Sequence, residues 1–506
     1  MAVNMDNATP ASSDAPIDRA FSIFGNKIGP ADYQRACASK ARFAKKFGDD
    51  TKTPCHLTAG ELPVVGDLFG ARRLEPCGEH ARVFDIYADA SPAKPVVIGN
   101  IRMGFGHYRI AMAMASAAHA LGYAPYWFDL CAFPNTTCTK IINKQNEAYS
   151  LGSRVSQKSK LFDMLVWDPM NSEGFRKLSY NASDQKVAEL MTAPYQDLPR
   201  DVPFIGTHAW TAQAAIHAGL TNVVNAIPDN WPMALHLAEG STHVVQTLNA
   251  RLGYRVLNGM GKHNQLLKPM PEDALVEVGH FVDHELVANI EDDCARRVRR
   301  SRGAGSLRFL LSVGGTGAQQ ALLAGIIEHM MPAIRDNKVS LLINVGDHED
   351  VWEALLEAVP GLNGARKHFG DFDEVDEFAR NALDGEVYGI HTFFDSDLYS
   401  AVYSTNVLMR CCDVLISKPG ELSFYPVPKI MMRHVGGHEV WGAIRAAEVG
   451  DGTIEMETLP EICAMIDEIV KDPVLVEGMC FNIRANKVRG VYNGAYEAVK
   501  IACGEH

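Results

Sequence analysis

The stretch from Pro95 to Gly122, PVVIGNIRMGFGHYRIAMAMASAAHALG, decides the fold. PVVIGNI is a short apolar run of the kind that forms a strand buried on both faces. MGFGHYR is a glycine-rich turn, and IAMAMASAAHALG reads as a helix of small apolar residues closed by Gly122. APYWFDL then supplies the next strand. Strand, glycine turn, helix and strand in succession predict a βαβ unit and a parallel sheet.

The same plan returns at Leu307, with LRFLLSV as strand, GGTGAQQ as turn and ALLAGIIEHMMPAI as helix. Further strands are predicted in DVPFIGTHAW, LTNVVNAIPD, STHVVQTL and Val276–His280 in the first half, and in SLLINVG, CDVLIS and KIMMRHV in the second. The expected fold class is α/β, with two Rossmann-like domains facing each other across a cleft. Residues 1–94 are read as an arm and extension whose role is not legible, and 95–290 as the first domain, with an insertion at 134–200. The charged-then-small run 291–306 is read as a linker, 307–475 as the second domain, and 476–506 as a C-terminal helix packing back. The five linker arginines, Arg296, Arg297, Arg299, Arg300 and Arg302, are expected to be solvated. A helix over Ala31–Phe47, with Arg35, Lys40, Arg42, Lys45 and Lys46, is expected to turn its basic face to water.

Length and composition set the bounds. A chain of 506 residues exceeds one core. With 47% hydrophobic and 22% charged residues it is ordinary globular protein. A net charge of −13 argues against nucleic acid as a general partner. The first 16 residues read as a disordered arm rather than a signal peptide, and no apolar run is long enough to span a bilayer. No strongly basic amphipathic stretch supports peripheral membrane contact. Eleven scattered cysteines without a C-x-x-C pair fit inert thiols in a reducing cytoplasm.

The glycine turns carry the chemistry. A strand ending in glycines brings backbone close to a ligand, and the following helix aims unpaired N–H groups and its positive dipole end at the same point. Gly104 and Gly106 build one such anion site, and Gly314, Gly315 and Gly317 the other. His107 opens the first helix, where a neutral imidazole can take a proton from a hydroxyl. Its alternative role is to cap local backbone. Asp129 leaves a nicotinamide-type site as a minor reading.

The order of these pieces resembles the GT-B glycosyltransferases, in particular the group of the peptidoglycan N-acetylglucosaminyltransferase and the monogalactosyldiacylglycerol synthase. The resemblance covers roughly residues 95–455 and rests on six ordered motifs. They are GFGHYRIAMAMASAAHALG, the strand end Gly206-Thr207-His208-Ala209, VVNAIPD ending at Asp229, VGGTGAQQALL, CDVLISKPGE, and GGHEVWGAIRAAEVGDG. It implies His107 as general base, with Asp229 also at the reaction centre and Gly104, Gly106, Thr207 and His208 on the acceptor side. It places the donor diphosphate on Gly314, Gly315, Thr316, Gly317, Lys418 and Gly420, and the donor sugar or nucleoside on Glu421, His438 and Glu439. The implied partners are a nucleotide-sugar donor, acting as substrate, and a hydroxyl acceptor. No cofactor and no metal are called for.

One departure stands out. The loop after Lys418 reads Pro419-Gly420-Glu421-Leu422-Ser423-Phe424-Tyr425-Pro426-Val427-Pro428, so prolines cut the following helix to about one turn. The glutamate that holds ribose in the resembled family has no counterpart. Asn406 and Asp413 are expected near the cleft beside Lys418. The insertion, with Phe162, Trp167, Phe175 and Tyr180, is read either as a stacking cover or as a helical subdomain. Two other readings stay open: a nucleotide-sugar epimerase or hydrolase using Asp229 and Glu239, and a non-catalytic binder of a phosphorylated ligand.

Overall fold

The computed structural model of the protein describes residues 18–53, 55–77, 84–158, 173–262, 265–315 and 317–505. The predicted terminal arm, Thr316 and the aromatic stretch holding Phe162 and Trp167 lie outside them.

Two parallel sheets form the frame. A hairpin of β1 (Ser22–Ile23) and β2 (Asn26–Lys27) precedes the first sheet. That sheet holds β3 (Leu57–Gly60), β4 (Arg72–Pro76), β5 (Pro95–Asn100), β6 (Ala124–Asp129), β7 (Phe204–Gly206), β8 (Val223–Ala226), β9 (Thr242–Val245) and β10 (Leu275–Glu277). Its order is β10-β9-β8-β7-β5-β6-β4-β3, parallel throughout except for β3 against β4. The second sheet holds β11 (Leu307–Ser312), β12 (Val339–Asn344), β13 (Arg366–Phe369), β14 (Gly389–Phe394), β15 (Val414–Ser417), β16 (Lys429–Met432) and β17 (Gly452–Met456). Its order is β13-β14-β12-β11-β15-β16-β17, all parallel. This is the GT-B architecture. In each sheet the chain reverses direction beside the first strand of its unit, β5 or β11, and such switch points are where open α/β sheets bind ligands.

The extension is part of the first sheet rather than an appendage, since β3 and β4 continue it beyond β6. The periodic stretch before it is the helix Pro30–Phe47.

Residues 291–306 do not form a linker. Ile290–Ser301 is a helix whose Ile290 and Cys294 enter the core of the second half. Arg296, Arg299 and Arg302 do face outward, but Arg297 and Arg300 are only 1% and 4% exposed. The reason is the end of the helix Leu398–Cys411, whose last carbonyls have no partner of their own. Arg297 donates to the carbonyls of Met409 at 2.8 Å, Cys412 at 3.1 Å and Pro426 at 3.2 Å. A guanidinium, with five donors and a fixed charge, suits this negative helix end. Arg300 pairs with Asp413 at 2.8 Å, and Asp413 also accepts from the backbone N of Arg308 at 2.8 Å. Asp413 is therefore used at the amino end of β15, away from the cleft at the carboxyl ends.

Removing that carboxylate strands the Arg300 guanidinium in the core. Asp413→Ala is expected to cost about 3–5 kcal/mol of stability in urea unfolding, the usual loss when one partner of a buried pair goes. Asp384→Ala, which breaks the exposed pairing of Arg296 and Arg299, is expected to leave the midpoint unchanged.

One apolar core cluster spans the two halves. Tyr108 lies 5.7 Å from Tyr399, Trp127 5.5 Å from Tyr399, and Phe69 5.3 Å from Tyr403, ring centre to ring centre. The final helix, Gly494–Cys503, crosses to the first half, where Ala495, Ala498, Val499 and Ala502 join that core beside the helix Gly106–Ala120. All eleven cysteines are free thiols. Among the described residues no helix is long and apolar enough to cross a membrane.

Candidate functional site

The carboxyl ends of β5 and β11 meet across a cavity of about 390 Å³. The two glycine turns touch. A Cβ placed on Gly315 would lie 2.7 Å from the backbone N of Phe105 and 3.1 Å from Gly104 Cα. Gly104 itself takes φ +72°, a left-handed conformation that glycine adopts without strain. Phe105 inserts its ring into the second half, 5.8 Å from the His348 ring. Around this contact Arg102 pairs with Asp347 at 2.6 Å. At the cleft edge Trp231 stacks on Trp441, with ring centres 4.9 Å apart.

His107 is held for one tautomer. Its Nδ1 lies 2.8 Å from the carbonyl oxygen of Thr207, and a carbonyl only accepts, so Nδ1 carries the proton. Nε2 is left with a lone pair. Burial pushes the His107 pKa down; the Thr207 carbonyl and the charges of Glu421 and Asp229 act against it without reversing it. Thr207 secures this arrangement from behind, its hydroxyl reaching the carbonyls of Gly99 at 3.2 Å and His107 at 3.3 Å. His208 is a helix cap rather than a cavity residue. It accepts from the backbone N of Trp210 at 3.1 Å, and its ring sits 4.7 Å from that of His107.

Asp229 lines the cavity and accepts from His236 Nε2 at 2.9 Å. Burial alone would raise its pKa, but the His236 hydrogen bond and the nearby His438 and His107 hold it well below the usual carboxylate range. Glu239 belongs elsewhere: it accepts from the backbone N of Phe24 at 2.9 Å and is not a cavity residue.

From the second half come Gly314, Gly315, Lys418, Gly420, Glu421, His438 and Glu439. The Lys418 stem packs on Gly314, where a Cβ would meet Cε at 2.9 Å. Lys418 Nζ pairs with Glu439, which also accepts from the backbone N of Val435 at 2.9 Å and of Gly436 at 3.3 Å. Burial opposes the Glu439 charge, yet Lys418 and His438 outweigh it and lower its pKa. Nδ1 of His438 is buried without a hydrogen-bond partner among the described residues. Glu421 opens a single 3-10 turn, Glu421–Phe424, and its carboxylate rests on Gly106 at the start of the first-half helix. Gly317, with φ +63°, turns the chain behind the cavity beside His348 and Val351. His434 bonds Glu455 at 2.7 Å. Among the described residues no group of three metal-ligating side chains occurs.

Several cavity residues escaped sequence reasoning: Arg109, Phe105, His348, Asp350 and Ser417. Arg109 had a signal, as the one charge in a run of small apolar residues. It is 3% exposed and bonds Asn406 and the Thr405 hydroxyl of the second half. Asn406 thus stands behind Arg109 and not in the cavity wall. His236, which holds Asp229, had none.

Residues 22–256 match the family model described as Domain of unknown function (DUF6937), and residues 270–503 match Domain of unknown function (DUF6938). No curated protein matches the chain. Among solved structures, the UDP-GlcNAc 2-epimerase from Neisseria meningitidis bound to UDP-GlcNAc aligns with TM-score 0.38 and 12% identity, covering 81% of this chain and 100% of that one. A putative UDP-N-acetylglucosamine 2-epimerase from Listeria monocytogenes aligns with TM-score 0.42 and 11% identity, covering 81% and 94%. A glycosyltransferase from Rickettsia africae aligns with TM-score 0.36 and 12% identity, covering 81% and 96%. At such low scores the fold assignment rests on the strand order and connectivity.

Proposed function

We propose that this GT-B-fold chain is an enzyme that takes a nucleoside-diphosphate sugar into the cavity between its halves and transfers the sugar to a hydroxyl acceptor with inversion. The observation that carries the reading is the fixed tautomer of His107, which aims a basic nitrogen into a cavity whose opposite wall is a glycine turn and a lysine. In this reading His107 Nε2 removes the acceptor proton. The backbone around Gly314 and Gly315, with Lys418, steadies the charge that develops on the departing diphosphate. Thr207 and His208 support the base from behind, and His438, Glu439 and Glu421 face the sugar or nucleoside. Gly317 continues the phosphate-side turn. The six ordered sequence motifs support the same assignment.

A hydrolase or epimerase reading draws on Asp229, an ionised carboxylate beside His236 and His438 in the same cavity. Donor alone, without acceptor, separates the two: free sugar or an epimer favours hydrolysis or epimerisation, and a product linked to an added hydroxyl compound favours transfer.

Binding is tested first. UDP-sugars at about 100 times their dissociation constant are expected to stabilise the chain by about 2.7 kcal/mol, read as a rise in melting temperature. No response to any nucleoside diphosphate sugar would end the donor assignment.

A further inference from the structure

The helix Pro473–Val488 buries Val476, Cys480 and Ile483 in the core of the second half. Its opposite face is apolar as well. Val474, Phe481 and Val488, which are 65%, 72% and 87% exposed, stand seven residues apart in one line, with Gly478 and Ala485 between them. Apolar or small residues at alternating steps of four and three have the 3.5-residue period of a seam that packs against another helix. A helix that meets only water carries polar residues on that face, and a line of large exposed apolar side chains marks a surface for a partner. None of these residues lines the interdomain cleft.

The pattern of the seam says what the partner is. Gly478 leaves a gap beside the large ring, since a Cβ there would meet nothing within 4 Å. A copy of the helix laid antiparallel sets Phe481 into the gap at Gly478 of the second copy and Val474 against its Ala485, so that each large residue faces a small one. Laid parallel, Phe481 meets Phe481 and the glycine layer stays empty. Charge gives the same answer. Glu477 and Arg484 are seven residues apart and so share one shoulder of the seam; within the chain they pair with Arg302 at 2.7 Å and Glu291 at 3.2 Å. Antiparallel copies bring Glu477 beside Arg484 of the second copy, whereas parallel copies set like charges together. Size and charge are self-complementary about one point, between Gly478 and Phe481, as a twofold contact requires.

We propose that two copies of this chain associate through the exposed face of the helix Pro473–Val488, packed antiparallel about a twofold axis. A single helix pair buries an area at the small, transient end of protein interfaces, so the dimer forms and dissociates in the micromolar range. The contact does not depend on what the cleft binds.

Sedimentation velocity of the full chain, run from low to high micromolar concentration, tests this. The sedimentation coefficient is expected to climb from that of a monomer to that of a dimer. Phe481→Asp, which puts a charge in the seam, and Gly478→Trp, which fills the gap, are each expected to weaken association at least about tenfold. Both positions are exposed, so the variants fold, with melting temperatures no lower than the parent's as the check. Orientation is read by cross-linking with oxidised glutathione. Val474→Cys chains mixed with Ala485→Cys chains are expected to form a disulfide between positions 474 and 485, identified by mass spectrometry, and Val474→Cys chains alone to form none between copies of position 474. A monomer at every concentration, a dimer that persists in Phe481→Asp and Gly478→Trp, or cross-linking of position 474 to itself would overturn the proposal.

Discussion

His107→Ala is expected to lower turnover by about 10²–10⁴-fold, the usual contribution of a positioned general base, while donor-induced stabilisation persists. The separation follows from geometry. His107 stands on the first half, and the proposed phosphate contacts at Gly314, Gly315 and Lys418 stand on the second. The pH dependence has a definite sign. A general base works deprotonated, and burial lowers the His107 pKa below its ordinary value of 6.5. Turnover is therefore expected to stay flat through neutral pH and to fall only on the acid side of an unperturbed histidine. A profile of kcat/KM against pH measures this. Unchanged turnover in His107→Ala, or an activity rising through pH 7, would remove His107 from the role of base.

The second large effect is expected at Gly315. An alanine methyl there would sit 2.7 Å from the Phe105 backbone N and 3.1 Å from Gly104 Cα, main-chain atoms that no rotamer change can move aside. The two turns must part, with an overpacking cost of about 1–3 kcal/mol. Gly315→Trp is expected to fill the space between the turns and abolish donor-induced stabilisation altogether. Gly104→Ala is the matched control. Nothing lies within 4 Å of its Cβ, but φ is +72°, so it is expected to cost about 1–2 kcal/mol of strain and leave donor binding in place. If Gly315→Trp binds donor as the parent does, the ligand does not sit between the turns.

Both glycine turns were legible because a parallel strand buried on two faces writes itself as an unbroken apolar run, and the glycines punctuate it. β13 and β14 were not. Their sequences, RKHF and GIHTFF, carry arginine, lysine and histidine because β13 is the sheet edge and β14 lies next to it. β3 and β4 were missed for a related reason, since RRLEP and LTAG lack the alternation or continuity that marks a strand. Arg297 and Arg300 read as solvated because composition cannot tell which carbonyls await a donor. That need is set by the end of the helix Leu398–Cys411, far away in the chain. His107 was legible as a residue type at a helix start, but the Thr207 carbonyl that sets its tautomer belongs to another strand end and leaves no mark near it. The shortened segment after Lys418 was read from its prolines, yet the seat of Glu421 on Gly106 required the other half of the molecule.

The crossing of the final helix has a bearing on how the chain is made. Ala495, Ala498, Val499 and Ala502 cover the face of the helix Gly106–Ala120, and Asn222 donates to the Ala502 carbonyl at 2.7 Å. During synthesis the first half emerges with that face bare, and its cover is made only after the whole second half. The two halves are thus not beads folded in turn. The first sheet waits, in need of shielding, until the second half and the helix after it have been made.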